Sequence, residues 1–238
     1  EVKILGKLMI DGAGQDASAA NINLSKDAKL KVTTLELHKN ASAIGTGYQS
    51  AVAFVVSGDG TLTLNNVSGG EGNQASSTGA IHVTNGAFLS LKGSSIPAVN
   101  GIQLDNGAGF EVAEGVTVPG NLALAEGTLV KATLTEANAT DKGKYAIEVG
   151  KKLTIGKSIS ADIELKDSTL GDLNSTYGRQ YKLIGVTSTP ADNLSIADNS
   201  FDVNVIGEAS NVFAKSDKGD KSLFVTTDGV VLKIERLS

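Results

Sequence analysis

Residues 79–91 of the chain read GAIHVTNGAFLSL, and residues 100–112 read NGIQLDNGAGFEV. The second stretch repeats the first with a constant shift of 21 residues, so that Ile81 corresponds to Ile102 and Leu89 to Phe110. Each copy consists of an apolar-x-apolar pair, an Asn-Gly turn and a second apolar-x-apolar pair. Side chains of an extended strand alternate between its two faces, so the apolar residues of each copy share one face.

Weaker copies of the unit flank this pair on both sides. An anchor residue, a Val or Leu of each copy, recurs after 20 to 32 residues: Leu24, Val56, Val83, Leu104, Leu124 and Val149. The weaker copies are Ile22, Leu24, Ala28, Leu30 and Val32; Phe54, Val56, Leu62 and Leu64; Leu122 and Leu124; and Ile147, Val149, Leu153 and Ile155. The repeat therefore extends over most of the first 160 residues.

This period favours a parallel β-helix, in which each copy is one coil that stacks on the next at about 4.8 Å. Asn-Gly supplies the positive φ that a sharp turn needs, and small residues (Ala28, Ala87, Ala108) suit a narrow interior corner. Antiparallel hairpins remain an alternative, because Asn-Gly is also a hairpin turn. Residues 11–21, 40–50 and 68–77 are poor in apolar side chains, and we expect them to loop outward.

Helical signals are scarce, and only Leu134–Ala139 could form a single turn. We therefore predict an all-β fold, with β-helix coils over residues 1–160 and terminal coils with a hairpin-rich cap over residues 161–238. The strands expected in this second part are Gln180–Val186, Phe201–Ile206, Leu223–Val225 and Val230–Ile234, with Asp228-Gly229 as the turn between the last two.

The C-terminal part resembles the end of bacterial autotransporter passengers. The resemblance rests on Gly178–Ile184 (GRQYKLI), Phe201–Val203 (FDV) and Leu223–Leu232 (LFVTTDGVVL), in that order. It implies a secreted, surface-displayed, right-handed β-helix that acts as an adhesin or associates with itself.

Composition excludes several functions. The chain has 238 residues, 40% of them hydrophobic, and no cysteine, which rules out disulfides, Cys-ligated metals and cysteine nucleophiles. The net charge is −5 and only two residues are arginine, Arg179 and Arg236, so a basic nucleic-acid-binding face is not expected. No apolar stretch is long enough to span a membrane, and we predict no membrane insertion by this segment.

Candidate catalytic and binding residues are few. His38 and His82 occupy outward positions by alternation, and no motif selects either as a catalytic base. Gly156-Lys157-Ser158 lacks the other glycine and the helix of a phosphate-binding loop. Thr61-Leu62-Thr63 is not repeated in the next coils, where Phe88/Ser90 and Gly109/Glu111 align with it.

Two carboxylate pairs could in principle cleave polysaccharides: Glu111 with Glu114, and Asp162 with Glu164 on one outward face. Outward charged pairs are usually solvated, and aromatic rings for sugar stacking are scarce. The acidic stretches Asp198–Asp202 and Asp217–Asp220 lack the ligand density of a calcium loop. We therefore predict no catalytic, cofactor-binding or metal-binding residues and no cofactor.

The leading hypothesis is a non-catalytic bacterial surface protein for adhesion or self-association. Its expected partners are a protein or glycan on a host or neighbouring cell, together with other copies of itself. A first alternative is an extracellular fibre or surface-layer subunit that assembles by strand addition, with Val2–Ile10 as the exchanged strand. A second alternative is a polysaccharide-acting β-helix enzyme.

Overall fold

The computed structural model describes residues 1–10, 20–38, 52–70, 80–93, 95–97, 99, 101–113, 115–139, 143–167, 178–188, 193–197, 201–206 and 219–236. Within these residues the chain forms twenty strands and one 3-10 turn, Glu136–Asn138. The strands are β1 (Val2–Ile10), β2 (Ala20–Leu24), β3 (Lys29–Leu37), β4 (Val52–Gly58), β5 (Thr61–Gly69), β6 (Ala80–Val83), β7 (Phe88–Leu91), β8 (Gly101–Leu104), β9 (Gly109–Val112), β10 (Val116–Val118), β11 (Asn121–Leu124), β12 (Leu129–Thr135), β13 (Ile147–Val149), β14 (Leu153–Ile155), β15 (Ser160–Lys166), β16 (Gln180–Val186), β17 (Leu194–Ile196), β18 (Asp202–Ile206), β19 (Gly219–Val225) and β20 (Gly229–Arg236).

The strands form three sheets. Sheet 1 has eight strands in the order β1-β3-β5-β7-β9-β12-β15-β18, and sheet 2 has seven in the order β17-β14-β11-β8-β6-β4-β2. Sheet 3 has five, in the order β10-β13-β16-β20-β19. All pairs are parallel except β16 with β20 and β19 with β20. The chain is therefore nearly all β and is organised as a parallel solenoid.

Apolar side chains fill the interior in continuous rows, because each strand is in register with the one below. In sheet 2 the pairs Val56–Val83, Val83–Leu104 and Leu104–Leu124 follow one another. Phe110 occupies the interior slot next to Leu89 that the repeat predicted, and its side chain is fully buried. The interior rows of sheet 1 are Val2, Leu30, Leu62, Leu89, Phe110, Val130, Ala161 and Val203, and Ile4, Val32, Leu64, Leu91, Val112, Ala132, Ile163 and Val205.

The Asn-Gly dipeptides form the corner between sheets 2 and 1. In two successive coils the amides of Ala87 and Ala108 donate to the carbonyls of Thr84 and Asp105, each over 3.0 Å. Gly86 has a φ of 84° and Gly107 a φ of 75°, which an L-residue adopts only with strain. Ala87 and Ala108 are buried at the corner. The Asn-Gly turns therefore connect strands that belong to two different parallel sheets. The alternative of antiparallel hairpins is wrong for the repeats.

Two of the six predicted anchors are wrong. Leu24 pairs with Gly58, and Ile22 takes the slot next to Val56. A Cβ at Gly58 would lie only 2.1 Å from the Leu24 carbonyl oxygen, so glycine is needed at that close approach. Alternation alone could not distinguish Ile22 from Leu24, because both residues point to the same side of β2.

The second error is Val149, which belongs to another sheet. Val149 pairs with Val118 in sheet 3, whereas Leu124 is followed by Ile155. The stretch from Ile147 to Ile155 therefore contains strands of two sheets rather than one repeat unit. Short apolar-x-apolar pairs look the same in sheets 2 and 3, so the sequence pattern does not assign them.

The strands expected after residue 160 are present. β16 has the predicted bounds, and β18 begins one residue later than predicted. β19 and β20 pair antiparallel around Asp228 and Gly229, as the turn signal indicated. The single turn expected within Leu134–Ala139 is the 3-10 turn. Most of the three expected outward loops, 11–21, 40–50 and 68–77, lies outside the described residues.

Candidate binding surface

A row of polar side chains runs along the outside of sheet 1. Strand alternation places these residues opposite the interior rows, and the parallel register stacks them at the spacing of adjacent strands, about 4.8 Å. We call this set the outer row: Lys3, Lys31, Thr63, Ser90, Glu111, Lys131, Asp162 and Asn204. Thr63 and Ser90 are buried, and the other six side chains are at least partly exposed.

Opposite charges compensate one another along the outer row. Lys31 Nζ lies 3.2 Å from Glu1 Oε1, and Lys131 Nζ lies 3.7 Å from Asp162 Oδ2. The Asn204 side-chain amide donates to Asp162 Oδ1 over 3.3 Å. The outer row is therefore a self-neutralised polar surface, which suits a polar partner better than a strongly charged one.

Glu111 is one of the two carboxylates of the outer row and has two bonding partners. It accepts a hydrogen bond from the Ser90 hydroxyl, and Lys92 Nζ lies 3.0 Å from its Oε2. Burial by itself would raise the pKa of Glu111, but the bonds from Ser90 and Lys92 outweigh it and lower that pKa. Glu111 is therefore held as an oriented carboxylate at neutral pH.

A groove of about 660 Å³ lies beside the outer row. It is open to solvent and lies between the outside of β9, β12 and β15 and the segments that lead from sheet 1 to sheet 3. Its lining combines acidic, basic and hydroxyl side chains with one aromatic ring: Lys92, Glu111, Ala113, Gly115, Thr133, Thr135, Ala137, Asn138, Lys144, Tyr145, Glu164 and Lys166. Its size is within the usual range for a small-ligand site.

Ion pairs also shape the groove on the β15 side. Glu164 accepts a hydrogen bond from the Thr133 hydroxyl over 3.2 Å, and Lys166 Nζ lies 3.1 Å from its Oε2. Together with Glu111 and Lys92, the groove thus carries two lysine–glutamate pairs. Their side chains are between about a third and two thirds exposed, so a ligand could exchange hydrogen bonds with them.

The 3-10 turn closes one end of the groove. The backbone N–H of Thr135 donates to Asn138 Oδ1 over 2.8 Å, and the Asn138 amide donates to the Lys144 carbonyl over 3.3 Å. The backbone N–H of Ala137 donates to the Thr135 hydroxyl over 3.3 Å. Because Asn138 is almost buried, these bonds fix the turn against the coil.

Tyr145 connects the groove to sheet 3. Its ring lies over Gly185, where an added Cβ would come within 2.2 Å of the ring, and Lys182 Nζ lies 5.0 Å from the ring centroid. Burial and then the nearby Asp228 carboxylate raise the pKa of Tyr145. Tyr145 therefore packs the groove wall against β16 of sheet 3.

A buried polar cluster lies between the ends of β15 and β16. The Tyr181 hydroxyl donates to Asp167 Oδ2 over 2.7 Å, and Arg179 Nη1 donates to the same oxygen over 2.9 Å. The Asp167 side chain is fully buried, so these partners compensate its charge. The sequence pattern did not single out Asp167. Arginine is rare in this chain, so Arg179 was the available signal of a carboxylate partner.

The two histidines lie apart and each has a carboxylate partner. His82 Nε2 lies 2.9 Å from Asp105 Oδ1 on the outside of sheet 2, and His38 Nε2 lies 2.8 Å from Glu36 Oε1 just after β3. Both histidines are partly exposed, as alternation predicted.

The remaining candidates fall into two groups. Asp162 and Glu164 share the outward face of β15, as expected, and Gly156-Lys157-Ser158 belongs to the corner turn before β15. The predicted alignment of Thr61 and Thr63 with Phe88 and Ser90 is confirmed, so the threonine pair is not continued. Positions 114, 198–200 and 217–218 lie outside the described residues.

No protein-family model matches the chain, and neither the curated proteins nor the solved structures include one with significant similarity to it. In the part of the chain that the structure describes, no helix has the length and apolar character needed to cross a membrane. Over the same residues, no three acidic or histidine side chains are grouped as metal ligands would be.

Proposed function

We propose that this chain is a non-catalytic, surface-displayed solenoid that holds a protein or glycan partner through the outer row and the adjoining groove. The observation that carries the proposal is their continuity: the six exposed or partly exposed polar side chains of the outer row are in register and lie next to a groove with oriented hydroxyls, carboxylates and ammonium groups. Weak polar contacts repeated along a stiff surface add up when they form together. Adhesion requires a surface that can form many such contacts with a partner at the same time.

The resemblance to autotransporter passengers supports secretion, display at the bacterial cell surface and a right-handed coil. We assign the β19–β20 hairpin as the cap of sheet 3. Val230, Val231 and Leu232 are buried, and a Cβ at Gly229 would lie 2.1 Å from the Ile184 carbonyl oxygen. So close an approach lets the hairpin cover the apolar edge of β16.

The proposal is tested with a substitution that fills the groove. Thr133→Arg places a long side chain between Glu164 and the groove floor, and Thr154→Arg is the matched control on the outside of sheet 2. Binding to host cells, to bacterial cells and to an array of glycans is measured with both variants and the parent. We expect Thr133→Arg to weaken binding about tenfold or more, equivalent to about 1.4 kcal/mol, and Thr154→Arg to leave it unchanged.

Two results would contradict this proposal. Equal binding by both variants would show that the groove is not the contact surface. Release of reducing ends from a polysaccharide, with loss of that activity in Asp162→Asn and Glu164→Gln, would support the enzyme alternative instead.

A further inference from the structure

An aromatic ring lies on the outside of sheet 1, beside the outer row. Phe88 is the first residue of β7 and pairs with Gly109 of β9. A Cβ at Gly109 would collide with three carbons of the Phe88 ring, so the ring covers this glycine. Gly109 is buried, whereas Phe88 is partly exposed. One face of the ring therefore rests on the sheet, and the opposite face points away from it.

Leu129 extends this apolar surface on the far side of Gly109. It pairs with Gly109 from β12 and, like Phe88, is partly exposed. We call Phe88, Gly109 and Leu129 the platform. Lys131 Nζ lies 5.6 Å from the centroid of the Phe88 ring and supplies a hydrogen-bond donor beside it. A flat apolar surface with polar groups around it suits the C–H-bearing face of a sugar ring, whose hydroxyls point outward from the ring edge.

The platform and the groove lie on one continuous surface. The outward positions that follow Phe88 are Ser90 and Lys92, and Lys92 lines the groove. Four residues separate Phe88 from Lys92, which is about 13 Å along an extended strand. Glu111 lies between them and accepts hydrogen bonds from both Ser90 and Lys92. A ligand that contacts both regions is therefore longer than one sugar ring, and it passes a carboxylate that can accept hydrogen bonds from sugar hydroxyls.

The charges of the groove distinguish acidic from neutral sugars. Among the described residues that line it, three are lysine and two are glutamate. Two of the lysines have a glutamate partner, Lys92 with Glu111 and Lys166 with Glu164. Lys144 is exposed and forms no ion pair with another described residue. A carboxylate on the ligand would compensate the Lys144 ammonium group, which a neutral sugar cannot do.

We propose that the partner is an oligosaccharide with a carboxylate-bearing sugar, which packs a ring on the platform and places its carboxylate at Lys144. This inference rests on the proposed function and assigns a glycan rather than a protein as the partner. Stable protein interfaces have a larger apolar centre, whereas the platform has only two apolar side chains beside a polar groove of about 660 Å³.

Matched pairs of oligosaccharides test the role of charge. The probes are trigalacturonate with its methyl ester, and a glucuronate-bearing trisaccharide with its glucose counterpart. The parent should bind the acidic member of a pair about threefold to fivefold more tightly, as expected for one exposed ion pair. Lys144→Gln should remove this difference. Lys152→Gln, which changes an exposed lysine between β13 and β14, is the matched control and should keep it.

Substitutions of Phe88 test the platform. Phe88→Ala should weaken the binding of acidic and neutral members alike by about tenfold, because the sugar ring loses its apolar contact. Phe88→Trp keeps a flat ring at the same position and should retain binding. Circular dichroism and thermal melting show whether each variant folds like the parent. A parent chain that binds none of the probes, or that binds both members of every pair equally, would overturn the proposal.

Cell binding separates failure of this inference from failure of the proposed function. If Thr133→Arg weakens cell binding but Phe88→Ala and Lys144→Gln do not, the glycan assignment is wrong and the groove remains the contact surface. The same conclusion follows if protease treatment of the cells abolishes binding and enzymatic removal of their acidic sugars does not. If Thr133→Arg binds cells like the parent, the proposed function fails as well.

Discussion

Each coil has two connecting regions, and different interactions hold them in place. One is the corner between sheets 2 and 1, and the other is the return path from sheet 1 through sheet 3. At the corner, one residue of each described turn has a positive φ: Asp27, Gly58, Gly86, Gly107, Gly127 and Ser158. On the return path, side chains from consecutive strands meet in buried polar contacts, such as Asp167 after β15 with Tyr181 of β16. The corner is thus specified by local backbone chemistry, whereas the return path is specified by side-chain contacts between the strands that it joins.

This difference explains why the sequence repeat is visible at the corner and not on the return path. Four of these six residues are glycine, so the corner is visible as a repeat in the sequence. The return path has no such repeat, because the chain between β12 and β13 contains the 3-10 turn, whereas β9 and β10 are joined by a short link. Substitutions on the two sides should therefore differ in the size and in the origin of their effects.

The largest effect is expected for Asp167→Ala on the return path. It leaves the Tyr181 hydroxyl buried without its acceptor and Arg179 without its carboxylate. Breaking a buried pair in this way should lower the free energy of unfolding by about 3 kcal/mol, measured by urea denaturation. Asp162→Ala, which removes a partly exposed carboxylate of β15, is the control and should cost less than about 1 kcal/mol. Similar losses in both variants would show that the buried cluster adds nothing.

A smaller loss of stability is expected at alkaline pH, again from the return path. Burial first, and then Asp167, raise the pKa of Tyr181 above its ordinary value of 10.0. The unfolded state therefore ionises before the folded one, so this stabilisation is complete below pH 10 and is lost as the pH rises through the raised pKa. The urea midpoint should fall above pH 10, and less steeply in Tyr181→Phe. Spectroscopic titration of the folded protein that showed every tyrosine ionising near pH 10 would contradict this.

At the corner, Gly107→Ala should cost about 1–2 kcal/mol. Gly107 has a φ of 75°, and a Cβ there would lie 2.7 Å from Asn85 Oδ1 in the neighbouring coil. Gly143→Ala is the matched control, because Gly143 has a φ of 82° with no atom within 4 Å of the added Cβ. The difference in thermal stability between the two variants isolates the contact between coils. No difference would mean that backbone strain alone limits the corner.

The smallest effect is a gain in stability. Ser158 has a φ of 55° at a turn position where three other coils have glycine. Ser158→Gly should relieve strain that exceeds the extra entropy lost by glycine, raising stability by about 0.5–1 kcal/mol. Lys157→Gly, at the preceding position without positive φ, should instead destabilise the protein. A lower melting temperature for Ser158→Gly would show that the corner tolerates serine without strain.

The candidate surface was only partly predictable. Alternation correctly placed Asp162 and Glu164 outward, since period two fixes the face of each residue on a strand. The groove was not predictable, because Glu111 and Glu164 lie two strands apart and Tyr145 reaches it from another sheet. Tyr181 belongs to the Gly178–Ile184 motif, but its bond to Asp167 depends on how the ends of β15 and β16 meet in the folded chain.

The sequence by itself determined that the fold is nearly all β, that Val56, Val83, Leu104 and Leu124 stack in one row, and that Asn-Gly marks a turn. These properties follow from residue alternation and from the steric freedom of glycine, both of which act within a few residues. Only the tertiary structure decided that Ile22 replaces Leu24 in that row, that Val149 belongs to sheet 3, and that Asp167 is buried. The first two outcomes depend on which strands lie next to each other, and identical apolar pairs in different sheets do not encode that order. The burial of Asp167 depends on how the ends of β15 and β16 meet, which no local pattern encodes.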